Sequence, residues 1–166
     1  TASAQSNAVF SIKNNETGDL LTMHTIIAGE SNSVYTIGNY IDNFVVKLDD
    51  NGQIVWQKKL QTGFGWMVTY NQIEFYNNEV YILGTISGMA PLQYLLIKTD
   101  MNGNLIWAKS LFPICQTAYW GRTPSMSVKS NSGITISSST YESIDIFSLT
   151  TDGTTNWIRN FTTDSV

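Results

Sequence analysis

Charge is scarce in this chain. Asp, Glu, Lys and Arg make up 13% of its 166 residues, about half the share usual in soluble domains. No run of basic residues occurs, and the formal net charge is −4 with a pI near 4.7. Neither nucleic acid nor an anionic membrane surface is therefore an expected partner. Cys115 is the only cysteine, which excludes an intrachain disulfide and a Cys-based zinc site and points to a buried structural thiol. His24 is the only histidine, and no neighbouring residue offers it a convincing nucleophile, so no Ser-His-Asp set can be placed. No apolar run approaches the ~18 residues of a membrane helix, and no membrane insertion is expected. The chain opens on Thr1 rather than Met, as expected of a processed product or a piece of something longer.

What replaces charge is Ser, Thr, Asn and Gln beside 42% hydrophobic and 12% aromatic residues. That composition suits exposed β-structure in an extracellular or virion-surface protein. A repeat then stands out. Lys47-Leu48-Asp49-Asp50-Asn51-Gly52-Gln53-Ile54-Val55-Trp56 returns as Lys98-Thr99-Asp100-Met101-Asn102-Gly103-Asn104-Leu105-Ile106-Trp107. A worn copy ends in Gly153 and Trp157, so the Trp-to-Trp spacings are 51 and 50 residues. Aligning Gly18 with Gly52 gives a fourth, degenerate copy with Thr22 in the Trp place and His24 at the basic position after it.

Each full unit reads as four short strands. In the clearest, Met67–Tyr76 is strand A, Val80–Ile86 strand B, Gln93–Thr99 strand C and Asn104–Leu111 strand D. The runs are β-branched and aromatic, bounded by turn residues, and show no sustained helical period. Asn77-Asn78 and Asn131-Ser132-Gly133 read as A-to-B turns. In the C-to-D turn, Asp49, Asp100, Thr150 and Asn15 offer an acceptor at the first position, and Gly52, Gly103, Gly153 and Gly18 follow three residues on. That spacing predicts a type I turn closed by a glycine bulge. Alternation along strand D puts Trp56 with Lys58, Trp107 with Lys109 and Trp157 with Arg159 on one face. A repeated indole beside a repeated cation is expected to be a packing unit between repeats. Expected boundaries are a flexible lead-in at 1–7 and units at about 8–26, 27–62, 63–112 and 113–166.

The motif Lys-x-Asp-x-x-Gly-x-x-x-Trp resembles bacterial and phage β-propeller-like repeats of the PQQ-like and SBBP type, from about Phe10 to Phe161. The resemblance implies an all-β fold of tandem four-stranded antiparallel blades, about three full and one partial, in which an Asp-Gly hairpin precedes a docking Trp. It specifies architecture rather than activity. Three blades are few for a closed ring. The chain is therefore expected to belong to a larger ring, with closure by copies of itself, or by its short first unit, as alternatives. An irregular β-sandwich or an open solenoid of hairpins is the other fold consistent with these strands.

The resemblance also places binding on the face carrying the D-to-A and B-to-C loops. Candidate ligand residues are Trp66, Tyr119, Trp120 and Arg122 in the D-to-A loops, and Tyr40, Asp42, Tyr141 and Glu142 in the B-to-C loops. Indoles there could stack on sugar rings or anchor a protein; equally, they could close the space between blades. Asp49, Asp50, Asp100 and Asp152 belong to separate turns and are not expected to pair for acid-base chemistry. The Asp-Asp-Asn-Gly run lacks the alternating ligands and distal Glu of a calcium loop. No catalytic residue, metal or cofactor is expected, PQQ included. The expected function is a non-enzymatic structural or interaction module that contacts other protein subunits of a surface assembly. The alternatives are a glycan- or receptor-binding propeller, and part of a propeller enzyme whose site lies on other blades.

Overall fold

A computed structural model describes residues 22–39, 43–60, 68–86, 93–112, 123–130, 133–139 and 143–162. They form three four-stranded antiparallel sheets in which each strand pairs with the next in the chain. The first sheet is β1 (Thr22–Ala28), β2 (Val34–Asn39), β3 (Asn43–Leu48) and β4 (Ile54–Lys59). The second is β5 (Val68–Tyr76), β6 (Glu79–Ile86), β7 (Gln93–Asp100) and β8 (Leu105–Leu111). The third is β9 (Ser125–Lys129), β10 (Gly133–Ser139), β11 (Ser143–Leu149) and β12 (Thr155–Thr162). A 3₁₀ turn at Glu30–Asn32 is the one helical piece among the described residues.

The sheets pack in chain order, β5 against β1 and β2, and β9 against β5. Burial explains the strand sequences. Tyr35, Ile37 and Val45 of the first sheet meet Tyr70, Ile73, Val80, Ile82, Leu95 and Ile97 of the second. On the opposite face of the second sheet, Tyr81, Leu83, Tyr94 and Leu96 meet Met126, Ile134, Ile136, Phe147 and Leu149 of the third. The second sheet is thus covered on both faces, which is why β6 and β7 read as nearly unbroken apolar runs rather than alternating ones. Polar side chains join the sheets where the apolar contact ends. Gln72 donates to the Met126 carbonyl (2.7 Å) and accepts from the Met126 amide (2.6 Å), acting as a backbone substitute at the edge of β9. Asn43 donates to the Val68 carbonyl, and Tyr94 and Ser138 share a hydrogen bond.

The hairpins follow the expected turn chemistry. Asn77 and Asn78 take positive φ between β5 and β6, the conformation a two-residue hairpin needs. In the three C-to-D turns, Gly52, Gly103 and Gly153 have φ of 76°, 71° and 79°. Each is followed by a register shift, opposite Lys47/Leu48, Lys98/Thr99 and Ser148/Leu149. The Asp49 carboxylate accepts from the Asn51 and Gln53 amides, and Asp100 does the same for Asn102 and Asn104. At the third turn the Thr150 hydroxyl and the Asp152 carboxylate together take the Thr154 amide.

The expected boundary at about 26/27 falls within β1, the strand that carries Thr22 and His24. They lie in the first strand of the first sheet, where Thr22 pairs with Asn39 and a register shift falls at His24. β1 supplies the partner strand that the backbone groups of β2 need along that edge. An equivalent shift occurs at Asn71 in β5. Residues 1–21, including the lead-in and the Asn15–Gly18 turn, lie outside the described residues, as does Cys115.

The turn glycines are not equivalent, and this gives a test. Gly52 is half-exposed, whereas a Cβ on Gly103 would lie 2.8 Å from the Trp56 ring. Gly52→Ala should cost about 1 kcal/mol for its left-handed backbone alone. Gly103→Ala should cost about 2–4 kcal/mol, because crowding adds to the same strain. Urea denaturation of the two variants measures the difference.

Candidate functional site

Trp56 extends from the outer strand of the first sheet to the C-to-D turn of the second. The Trp56 indole N–H donates to the Met101 carbonyl at 3.2 Å, and its ring lies against Gly103. Lys58, 5.7 Å from the Trp56 ring centre, reaches across to the Asn104 side chain at 2.9 Å. In the next repeat Lys109 lies 5.6 Å from the Trp107 ring centre, and its side chain covers Gly153. Gly103 and Gly153 are buried by these contacts. The expected packing unit is therefore a joint between neighbouring sheets, in which Trp56 and Lys58 of the first meet the turn of the second, and Lys109 of the second meets the turn of the third.

A second cluster completes each joint. Lys47 bonds Glu30 at 2.8 Å and sits 5.1 Å from the Tyr35 ring centre, while the Tyr35 hydroxyl reaches Glu30 and the Met101 carbonyl. Phe75 stacks on Tyr35 from the second sheet with centroids 5.5 Å apart. In the second sheet Lys98 bonds Glu79 at 2.7 Å, lies 5.4 Å from the Tyr81 ring centre and donates to the Thr151 carbonyl at 3.1 Å. Thr151 follows its turn's first residue as Met101 does. The lysines were visible in the repeat motif. The tyrosines and glutamates were not, because they lie across the sheet, before loops of unequal length.

The third sheet breaks the pattern. Thr135 pairs with Ser148 where Tyr35 pairs with Lys47 and Tyr81 with Lys98. Gly133 stands just ahead of β10's first isoleucine, as Glu79 stands ahead of Val80. Its φ is +69°, and a Cβ there would run into the Leu149 carbonyl. Trp157 and Arg159 persist, with the guanidinium 5.2 Å from the ring centre. Trp157 is 44% exposed. The result is an open cleft of about 530 Å³ lined by Gly133, Thr135, Ser148, Thr150, Thr151 and Trp157. Its chemistry is an indole wall, hydroxyl groups and a neighbouring cation.

The eight residues expected to bind ligand, Tyr40, Asp42, Trp66, Tyr119, Trp120, Arg122, Tyr141 and Glu142, all lie outside the described residues. The eight repeat residues Asp49, Gly52, Trp56, Asp100, Gly103, Trp107, Gly153 and Trp157 lie in the hairpins just described. Among the described residues no three of His, Cys, Asp and Glu converge as a metal site requires.

Two predictions follow from the joint. Trp107 Nε1 is buried and meets no acceptor among the described residues, unlike Trp56 Nε1. Trp56→Phe should therefore cost about 1 kcal/mol more than Trp107→Phe, the net worth of one hydrogen bond, in parallel thermal or urea unfolding. The second concerns acid. For Glu30, burial opposes ionisation, but the hydrogen bond and charge of Lys47 outweigh it and lower the pKa. For Asp100, burial is outweighed by bonds from Asn104 and Asn102. Asp152 is drawn down to about 2 by bonds from Thr150 and Thr154. A carboxylate depressed by folding stabilises the native state above its unfolded pKa, and this is lost as pH falls through the folded value. Stability should thus decline from the ordinary carboxylate range near pH 4 down to about pH 2. Urea midpoints across that range should fall less steeply in Glu30→Gln.

Compared with known proteins, the chain matches no protein-family model and no curated protein.

Proposed function

We propose that this chain is a non-enzymatic structural and interaction module of an extracellular or virion-surface protein, built of β-propeller-like blades and working through contacts with other protein subunits. One observation carries the proposal: the recurring residues are engaged in joining sheet to sheet. Trp56, Lys58, Gly103 and Met101 form one joint; Lys98, Lys109, Gly153 and Thr151 form the next. A chain whose repeated residues serve stacking is a scaffold, and a scaffold of this kind acts by what it presents. The sequential strand order within each sheet, and the packing of β5 on β1 and β9 on β5, support blades with β1, β5 and β9 innermost.

The outer strands support contact with protein. β4, β8 and β12 each form a sheet edge, and Val55, Ile106, Ile158 and Phe161 on them are exposed. Apolar side chains on free strand edges are surfaces that polypeptides cover, by strand pairing or by side-chain packing.

The test is cross-linking of the chain within its parent assembly, purified from its natural source. Cross-links from Lys58, Lys59 or Lys109 on the outer strands to other polypeptides are expected. A chain that purifies free and contacts no other polypeptide overturns the proposal.

A further inference from the structure

The open cleft on the third sheet is one half of a joint whose other half stands uncovered on the first sheet. We propose that the Trp157 cleft receives the Asp49–Gly52 turn of a second copy, so that chains associate head to tail. This rests on the reading of the chain as an interaction module and names its partner.

The two joints inside the chain define what the cleft accepts. In the first, Trp56 takes the turn of the following sheet at Gly103 and at the Met101 carbonyl, beside Lys58; in the second, Lys109 of the outer strand covers Gly153, and Lys98 of β7 takes the Thr151 carbonyl. Trp157 and Arg159 keep the indole and the cation in the same register and geometry, but no turn among the described residues covers them. At the other end Gly52 is half-exposed although Gly103 and Gly153 are buried. Its turn shares the Asp–amide bonds of the Gly103 turn and the positive glycine φ of both covered turns. In register, the Asp50 carbonyl stands where Met101 and Thr151 offer theirs.

Charge favours this occupant. Lys58 acts on Asp100 and Lys109 on Asp152 across the existing joints. Arg159 is the third cation of that series, and the Asp49–Gly52 turn presents two carboxylates, Asp49 and Asp50. Trimming Tyr, Lys and Glu to Thr135, Ser148 and Gly133 gives the cleft room for the added Asp50 side chain. It also removes the apolar core beneath the joint. On the first sheet, Phe44, Val46 and Leu48 on the far face of β3 are already buried within the chain. The contact is therefore confined to turn, indole and cation: reversible, salt-sensitive, and heterologous, so that it builds rings or filaments rather than a symmetric dimer.

Sedimentation velocity of the whole chain over a concentration series tests this. Wild type should gain mass with concentration and lose it in high salt. Trp157→Ala and Asp50→Arg should each weaken association about tenfold or more, as loss of a central anchor does. Mixed together, they should form a one-to-one complex that stops at two chains, since each variant retains the half the other lacks. Arg159→Glu gives the same readout if Trp157→Ala fails to fold. A wild-type chain that stays monomeric, association indifferent to both variants, or a mixture no better than its parts overturns the inference. So does a free pyranose that quenches tryptophan emission in monomeric wild type but not in Trp157→Ala, which would make the cleft a sugar site. A monomeric chain that still cross-links to other polypeptides in its parent assembly overturns this inference alone.

Discussion

The structure depends on a contact between a tryptophan and a turn that is not its own. A four-stranded sheet with apolar residues on its faces cannot stand alone in water, so each repeat must be fixed to the next. Here the fixing is specific at the rim as well as apolar at the centre. Trp56 bonds a carbonyl of the following turn, and the far edge of its ring lies against the turn's glycine. That glycine is required twice over, by its left-handed φ and by the ring above it. A single residue type thus serves hairpin geometry and sheet-to-sheet packing together, which explains why the turn and the Trp recur as one motif.

Charged groups, though few, are concentrated at these joints. Glu30 with Lys47 and Glu79 with Lys98 lie beside buried tyrosines at the same place in two sheets. Burial raises the phenol pKa values of Tyr35 and Tyr81, so both stay protonated as hydrogen-bond donors. Lys47, despite burial, is held above its ordinary value by Glu30 and Tyr35, so its charge persists through any physiological pH. The ion pairs lie beside the tyrosine hydroxyls, and Tyr35 in the first sheet and Lys98 in the second reach the neighbouring turn. In the third sheet the whole cluster is absent, and a cleft takes its place.

Much of this was legible in the sequence. The strands of the second sheet, the acceptor-to-glycine turns and the pairing of each Trp with a cation all follow from local pattern. Their causes are local: alternation, a needed positive φ, an acceptor three residues ahead of glycine. What was not legible depends on partners distant in the chain. The Tyr-Lys-Glu clusters need strand register across loops of different length. The placement of β1 needs the edge of β2, whose demand for a partner no motif records. The Trp157 cleft is defined by residues that are missing relative to the other repeats, and Thr135 and Ser148 look unremarkable until β10 and β11 are paired. The loops singled out for ligand binding fall outside the described residues, and the open surface appears instead within the repeat itself.

The unequal faces of the sheets carry a consequence for how such a chain can grow. Both faces of the second sheet are apolar, so it is fit only for an interior place, whereas the face of the third sheet away from the second carries Thr135, Ser137 and Ser148. A further copy of the second repeat could be inserted beside the original with every apolar face still covered. A further copy of the third could not, because its hydroxyl face would be buried without partners. Lengthening by duplication is thus open in the middle of this stack and closed at its third sheet.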